Sequence, residues 1–460
     1  MDPDMIDDLF GQPTTFATPQ GLSDWNAVQL GFLAHSAATP GHLAAVLKAE
    51  PDFALGHAAR GLFFLLLGRR ELYQTAREAL AAARAAMQAQ PVTPREARYV
   101  AALAHWLDGA PLRTIAECEA VLDETPTDPL AMKLSQAIRF LLGDAAGMRA
   151  SVERLLPAYA HDHPARGYLL GCHAFALEET GDYLRAEIAG RQALWMAPND
   201  AWGLHAVAHV HDMTGRARQG IDWLAARESA WAHCNNFRYH VWWHKALMHL
   251  ETGETEQVLA LYDDRIRKDR TDDYRDISNA TSLLMRLELE GIPVGDRWEE
   301  LADLCARRTG DGCLIFADLH YLLALNGAGR EADKAALLAR ISRDAEQPAD
   351  PFAKAMAAPG RDAAVGLVAF SEGRNGEAFH HLARADAAMQ KAGGSHAQRD
   401  VFKRLTIDAA LRAGYLDHAE RFLNERKNLR AGSEDGFAAC RRALISGARG
   451  PANARSVPAE

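Results

Sequence analysis

Apolar residues recur along almost the whole chain at the three- and four-residue spacing of amphipathic helices, in segments rich in Ala and Leu. No run of alternating β-branched residues predicts a strand. A glycine punctuates this pattern, closing one helical segment and opening the next. It appears in LLLGRRE (Gly68), WLDGAPL (Gly109), FLLGDAA (Gly143), EETGDYL (Gly181), DMTGRAR (Gly215), LETGETE (Gly253), LELEGIP (Gly291), LALNGAG (Gly327), FSEGRNG (Gly373) and LRAGYLD (Gly414). The steps from Gly109 to Gly143 and from Gly181 to Gly215 are both 34 residues, the period of a tetratricopeptide helical hairpin. With Gly181 at position 15 of such a unit, the small residues Ala174, Ala186 and Ala193 fall at positions 8, 20 and 27, and Pro198 at 32. These are the positions where two antiparallel helices approach closely and where the unit ends. The pattern predicts an all-α fold, a right-handed superhelical solenoid of tetratricopeptide-like hairpins.

The same reading divides the chain. Residues 1–40 form an N-terminal extension and 41–343 the main array. Residues 344–361, with Pro348, Pro351 and Pro359, read as an irregular connection, 362–448 as further repeats, and 449–460 as a flexible tail. A hydrophobic share of 48% with 24% charged residues excludes a disordered chain. The apolar run Leu62 to Leu67 is far short of the roughly 20 residues a membrane span needs. The acidic start MDPDMIDDLF lacks the basic and apolar regions of a secretory signal, and six cysteines without a CxxC pair read as reduced thiols, so a cytoplasmic protein is expected. A net charge of −10 argues against a nucleic-acid partner.

Histidine changes the picture. Seven of the 19 (His205, His209, His211, His233, His240, His244, His249) lie between residues 205 and 249, where an even spread gives about two. Six of the nine tryptophans (Trp195, Trp202, Trp223, Trp231, Trp242, Trp243) share nearly the same window. In the repeat frame His205 and His209 take positions 5 and 9 of one groove-lining helix, and His240 and His244 take positions 2 and 6 of the next. Two His-x-x-x-His pairs on neighbouring helices can place imidazoles on one divalent metal such as zinc, or supply a general acid and base. Asp276 opens the helix after that and is the candidate carboxylate. His211 and His249 fall at position 11, normally a packing aromatic, and Trp242 at the usual packing tryptophan. Trp202, Tyr239 and Trp243 lie beside the histidines, and Asp318 and His320 lie on a later groove helix; together with His211, all are candidate ligand contacts. In KAGGSHAQRDVF, two glycines with Ser395, Gln398 and Arg399 form a loop able to hold an anion, or a capped inter-repeat turn.

These segments carry a resemblance. PTDPLAMKLSQ, NDAWGLHAVAHVHDM, YHVWWHKAL, DISNATSLLMRLELEGIPVGDRW and GGSHAQRDVF, in this order over most of the chain, resemble the tetratricopeptide repeat protein 38 family. The resemblance implies an all-α solenoid with a histidine-bearing central segment, here His205, His209, His211, His240 and His244, and no particular reaction. Two functions are therefore expected. One is a repeat protein holding a small ligand or peptide in a His/Trp-lined pocket. The other is a hydrolase, metal-dependent or not, acting through His205, His209, His240, His244 and Asp276.

Overall fold

The structure, a computed structural model, describes residues 6–16 and 18–450, apart from the side chains of residues 351 and 352. Its 23 α-helices follow one another as antiparallel hairpins, eleven pairs and a last single helix among the described residues. The pairs in the centre are Arg166–Glu179 with Tyr183–Met196, Ala201–Met213 with Ala217–Ala225, and Phe237–Glu251 with Thr255–Leu261. Local sequence sets their ends. Thr93, Asp128, Asp200 and Ser395 each accept a hydrogen bond from a backbone N–H of the turn that follows, and proline opens the Pro94 and Pro129 helices, where its missing N–H costs nothing. Ala174, Ala186 and Ala193 are completely enclosed between paired helices. The hairpin solenoid is thus present. No helix among the described residues is long and apolar enough to cross a membrane, and all six cysteines are free, four of them buried.

Nine of the ten frame glycines have φ between 58° and 82°, the left-handed conformation that reverses the chain after a helix. The exception is Gly327. It is the last residue of the Ile315–Gly327 helix, packed so closely on the Trp298 ring that a Cβ has no room, and the reversal is made by Gly329 at φ 64°.

Two expected boundaries change. Residues 6–40 are not a frayed extension: a two-residue hairpin (Ile6–Asp7 with Pro13–Thr14) and the Pro19–Leu33 helix bury Phe10, Phe16 and Trp25 in the same apolar cluster as Tyr99, Leu134 and Tyr168. Residues 351–361 are not an irregular connection either, but the first turns of the 21-residue helix Pro351–Ser371, which contains Pro359. Pro351 occupies the first turn, Asp350 caps it through Ala353 N, and Ala363, Ala364 and Leu367 are fully buried, so packing carries the helix past Pro359. Of the expected tail, residues 451–460 lie outside the described residues.

The array does not leave an open groove. Ala37 N donates to His233 O (3.1 Å) and Asn235 N to His35 O (2.7 Å), so the N-terminal segment docks on the central repeats. From the other end, Arg286 Nη2 donates to Ala397 O (2.5 Å), Tyr183 hydroxyl to Leu429 O (2.5 Å), and Arg430 pairs with Asp212 (3.2 Å). Segments from both the N-terminal and the C-terminal parts of the described residues thus pack over the middle.

Candidate functional site

The Ala201–Met213 helix carries His205 and His209 one turn apart, and the neighbouring Phe237–Glu251 helix carries His240 and His244. All four rings turn their Nε2 atoms to one point. His205 Nε2 lies 2.9 Å from His209 Nε2, 2.9 Å from His240 Nε2 and 3.1 Å from His244 Nε2, and His240 Nε2 lies 3.1 Å from His244 Nε2. His205, His209 and His244 are buried and His240 is partly exposed. Aromatic neighbours fix the rings: His240 stacks on Trp243 (5.3 Å, 19° between planes) and His205 on Phe175 (5.5 Å, 25°).

The outward nitrogens are partly anchored. His240 Nδ1 is 3.0 Å from Asn279 Oδ1, and His209 Nδ1 lies 3.3 Å from Glu178 Oε2, off the line of a hydrogen bond. His205 Nδ1 and His244 Nδ1 have no hydrogen-bond partner among the described residues. Burial first, then the neighbouring histidines, hold His205 and His244 well below the usual histidine range; burial brings His240 down to about 3. For His209 burial acts the same way, but the Glu178 and Glu179 carboxylates outweigh it and raise its pKa.

Beside this tetrad lies a cavity of about 770 Å³. Its wall is largely aromatic and aliphatic, including Phe32, Phe63, Phe140, Trp202, Phe237 and Phe316, with His205 and His240 on one side. The residues come from positions 31 to 398, so both folded-over ends contribute. Lys133 enters beneath Trp202, its Nζ 4.8 Å from the ring centre and 3.9 Å from Cys172 Sγ. Sequence reasoning missed His35, which packs against both Trp202 (5.5 Å, 20°) and Phe237 (4.6 Å, 23°) and lines the cavity. It lies outside the repeat frame. Asn279 and Glu178 were missed too; both sit on groove helices of units adjoining the histidines, a placement the frame contained.

Other expected site residues are placed elsewhere. Asp276 does not reach the histidines: it accepts from Asn236 Nδ2 (2.7 Å) and from Thr271 Oγ1, and burial with Asp273 nearby pushes its pKa up to about 7. The residue of that helix that meets His240 is Asn279, one turn on. His211 is buried between its own helix and Trp223, away from the cavity, as the packing position 11 dictates. Tyr239 points away as well, its hydroxyl donating to Asp269. Trp243 supports His240 from behind without lining the cavity. Asp318 is ion-paired with Arg340 (2.5 Å), and His320 Nδ1 donates to Phe316 O (2.7 Å) with its ring against Phe402. Neither lines the cavity. Trp202 and Gln398 do. Arg399 is not available to a ligand anion: the loop at 393–399 already holds one, because Glu179 accepts from His396 N (2.8 Å) and pairs with Arg399 (3.3 Å). Ser395 and Gln398 form a capping box.

No protein-family model matches the chain. Among solved structures, a human IFIT1 dimer with m7Gppp-AAAA is similar over 93% of each chain at 13% identity and a TM-score of 0.35. A human IFIT1 dimer with PPP-AAAA matches 91% of this chain and 93% of that one at 12% identity and a TM-score of 0.39. Naa15/Naa10 bound to HypK-THB matches over 90% of this chain and 64% of that one, at 12% identity and a TM-score of 0.25. Likeness at this level carries no argument about ligand, partner or activity.

Proposed function

We propose that this protein binds a small, predominantly apolar molecule in the cavity enclosed by its repeats. The observation that carries the reading is the cavity itself, about 770 Å³ with aromatic walls drawn from both ends of the chain, within the size range of small-molecule sites. Walls on several sides favour a small molecule over an extended peptide. Lys133, His35, His205 and His240, with Arg60, Gln136 and Arg275, are among the polar groups of the lining that can fix a ligand's orientation. The resemblance to the tetratricopeptide repeat protein 38 family belongs to this reading. The hydrolase alternative has one observation in its favour, the access of His205 and His240 to the cavity, but its expected carboxylate, Asp276, is engaged by Asn236 and Thr271.

The test uses the apolar fluorophore 1-anilinonaphthalene-8-sulfonate with metal-free protein. One equivalent is expected to bind with enhanced, blue-shifted emission. Ala137→Trp, which fills the cavity from the Pro129–Leu141 helix, is expected to weaken binding about tenfold or more with helicity unchanged. Unchanged affinity in this variant would refute the reading.

A further inference from the structure

The tetrad cannot be satisfied by its own hydrogen bonds. A neutral imidazole nitrogen carries either one proton or one lone pair, so each Nε2 enters one hydrogen bond, as donor or as acceptor. Four such atoms make two bonds at most. Yet four Nε2 pairs stand within 2.9–3.1 Å, three of them sharing His205 Nε2. The surplus contacts set lone pair against lone pair or proton against proton. A charge on His209 beside Glu178 leaves the crowding of His205, His240 and His244 in place, and charging those three rings adds repulsion among largely buried groups.

One arrangement removes the conflict at all four Nε2 atoms, although it leaves the Nδ1–H groups of His205 and His244 without an acceptor among the described residues. If every ring carries its proton on Nδ1, every Nε2 presents a lone pair to the common point. His240 Nδ1–H then donates to Asn279 Oδ1, and His209 Nδ1–H faces Glu178 Oε2, the outer-shell arrangement that orients metal-ligating histidines. A second observation points the same way. Glu178 is fully buried and neither carboxylate oxygen has a hydrogen-bond partner among the described residues. A carboxylate so placed calls for a positive charge nearby, which a protonated His209 ring or a cation held by that ring can supply.

We propose that His205, His209, His240 and His244 hold one divalent transition-metal ion through their Nε2 atoms, with a coordination position open toward the cavity. An all-imidazole donor set suits Zn²⁺, Fe²⁺, Ni²⁺ or Cu²⁺ and disfavours Mg²⁺ and Ca²⁺, which take oxygen ligands. At a metal–nitrogen distance of about 2.0–2.1 Å, nitrogens 2.9–3.1 Å apart subtend about 90–100° at the ion. These are the angles of five- or six-coordinate ions, narrower than those of a closed tetrahedron. His205 and His240 line the cavity while His209 and His244 do not, so the free position faces the cavity, where water or an oxygen or nitrogen donor completes the shell. Nothing in this assignment depends on which apolar molecule, if any, the cavity takes.

The experiment titrates chelator-treated full-length protein with Co²⁺ and with Zn²⁺. One equivalent of each is expected to bind, the cobalt form showing the weak visible bands of a five- or six-coordinate ion, altered by added azide. His209→Phe and His244→Phe keep an aromatic ring but remove the ligand nitrogen, and are expected to lose about 100-fold or more in affinity. Absence of stoichiometric Co²⁺ and Zn²⁺ binding by folded wild-type protein, or binding unchanged in both variants, overturns the site. An intense tetrahedral cobalt spectrum indifferent to azide overturns the open position. Should the variants not fold, X-ray absorption of the Co²⁺-loaded wild type decides: a shell of four imidazole nitrogens supports the assignment, a shell of oxygen or sulfur refutes it. Fluorophore binding by the metal-free protein is measured separately, so either proposal can fail while the other stands.

Discussion

In the C-terminal repeats, Arg404 and Arg426 reach Asp400 and Asp435; in the central repeats, His205, His209, His240 and His244 reach chiefly one another. Both clusters are buried and both are built from side chains that water would otherwise solvate, yet they are resolved differently. Arg426 Nε donates to Asp400 Oδ1 (2.6 Å) and its Nη2 to Asp435, while Arg404 donates to Asp400 (2.8 Å) and to Asp435 (3.0 Å). Asp435 also accepts from Ala438 N (2.9 Å) and so caps the last helix. Burial opposes the charge on Asp400, but the two guanidinium groups outweigh it and hold its pKa well below the usual carboxylate range. This network closes on itself with every sign matched. The tetrad leaves four nitrogens of one kind facing a common point. Depth of burial does not separate the two clusters; what separates them is whether the partners are already in the protein.

Four measurements beyond the fluorophore test probe the difference between the two clusters. The largest effect is expected from Asp435→Ala, which strands Arg426 and Arg404 and uncaps the Gly436–Ala448 helix. A cost of about 3–5 kcal/mol is expected, read as lost hydrogen-exchange protection across residues 396–448. Next, Zn²⁺ at about 100 times its Kd should stabilise the wild type by about 2.7 kcal/mol and raise its Tm, and a chelator should reverse the shift. The Asp435→Ala protein should keep the Zn²⁺ response. Then, without metal, His244→Phe should leave stability within about 1 kcal/mol of wild type or raise it, because an apolar ring removes a nitrogen that has no partner among the described residues. A severe loss there would show that the tetrad, like the arginine network, is self-sufficient.

The smallest effect concerns Asp200, near the tetrad, which caps the Ala201–Met213 helix through Gly203 N (3.1 Å) and has one oxygen without a partner. Burial pushes its pKa up to about 7 from 3.8. Its folded value lies above its unfolded one, so its favourable contribution is complete below the unfolded value and fades as pH rises through the folded one. From about pH 6 to about pH 8 the wild type should lose about 1 kcal/mol through this group, and Asp200→Asn should remove that slope in thermal unfolding. Asp435, held low by its arginines against the effect of burial, carries the opposite sign: its contribution is present above its unfolded pKa and lost only in acid.

The glycine and alanine frame made the hairpins legible, and with them the sharing of one face by His205, His209, His240 and His244, because helical periodicity and the repeat length are local properties of the chain. Where the frame slipped, at Gly327 against Gly329, the Trp298 ring of the preceding hairpin was the cause. His211, at a packing position, went to the core as the frame required, whereas the family resemblance alone would have kept it in the pocket. Other placements were settled only by distant contacts. Residues 6–40 were folded by the partners of Trp25 and Phe16, and His35 reached the cavity by docking beside His233 and Asn235, about 200 positions along the chain. Arg399 was matched by Glu179, and Asp276 by Thr271 and Asn236, leaving Asn279 to meet His240. The helices, their pairing and the faces that carry histidine follow from local sequence, since propensity, turn glycines and spacing act within about 34 residues. The tertiary structure alone decided that the groove becomes a cavity and which polar groups are left without partners, because closing the array brings together residues whose separation in sequence says nothing of their distance in space.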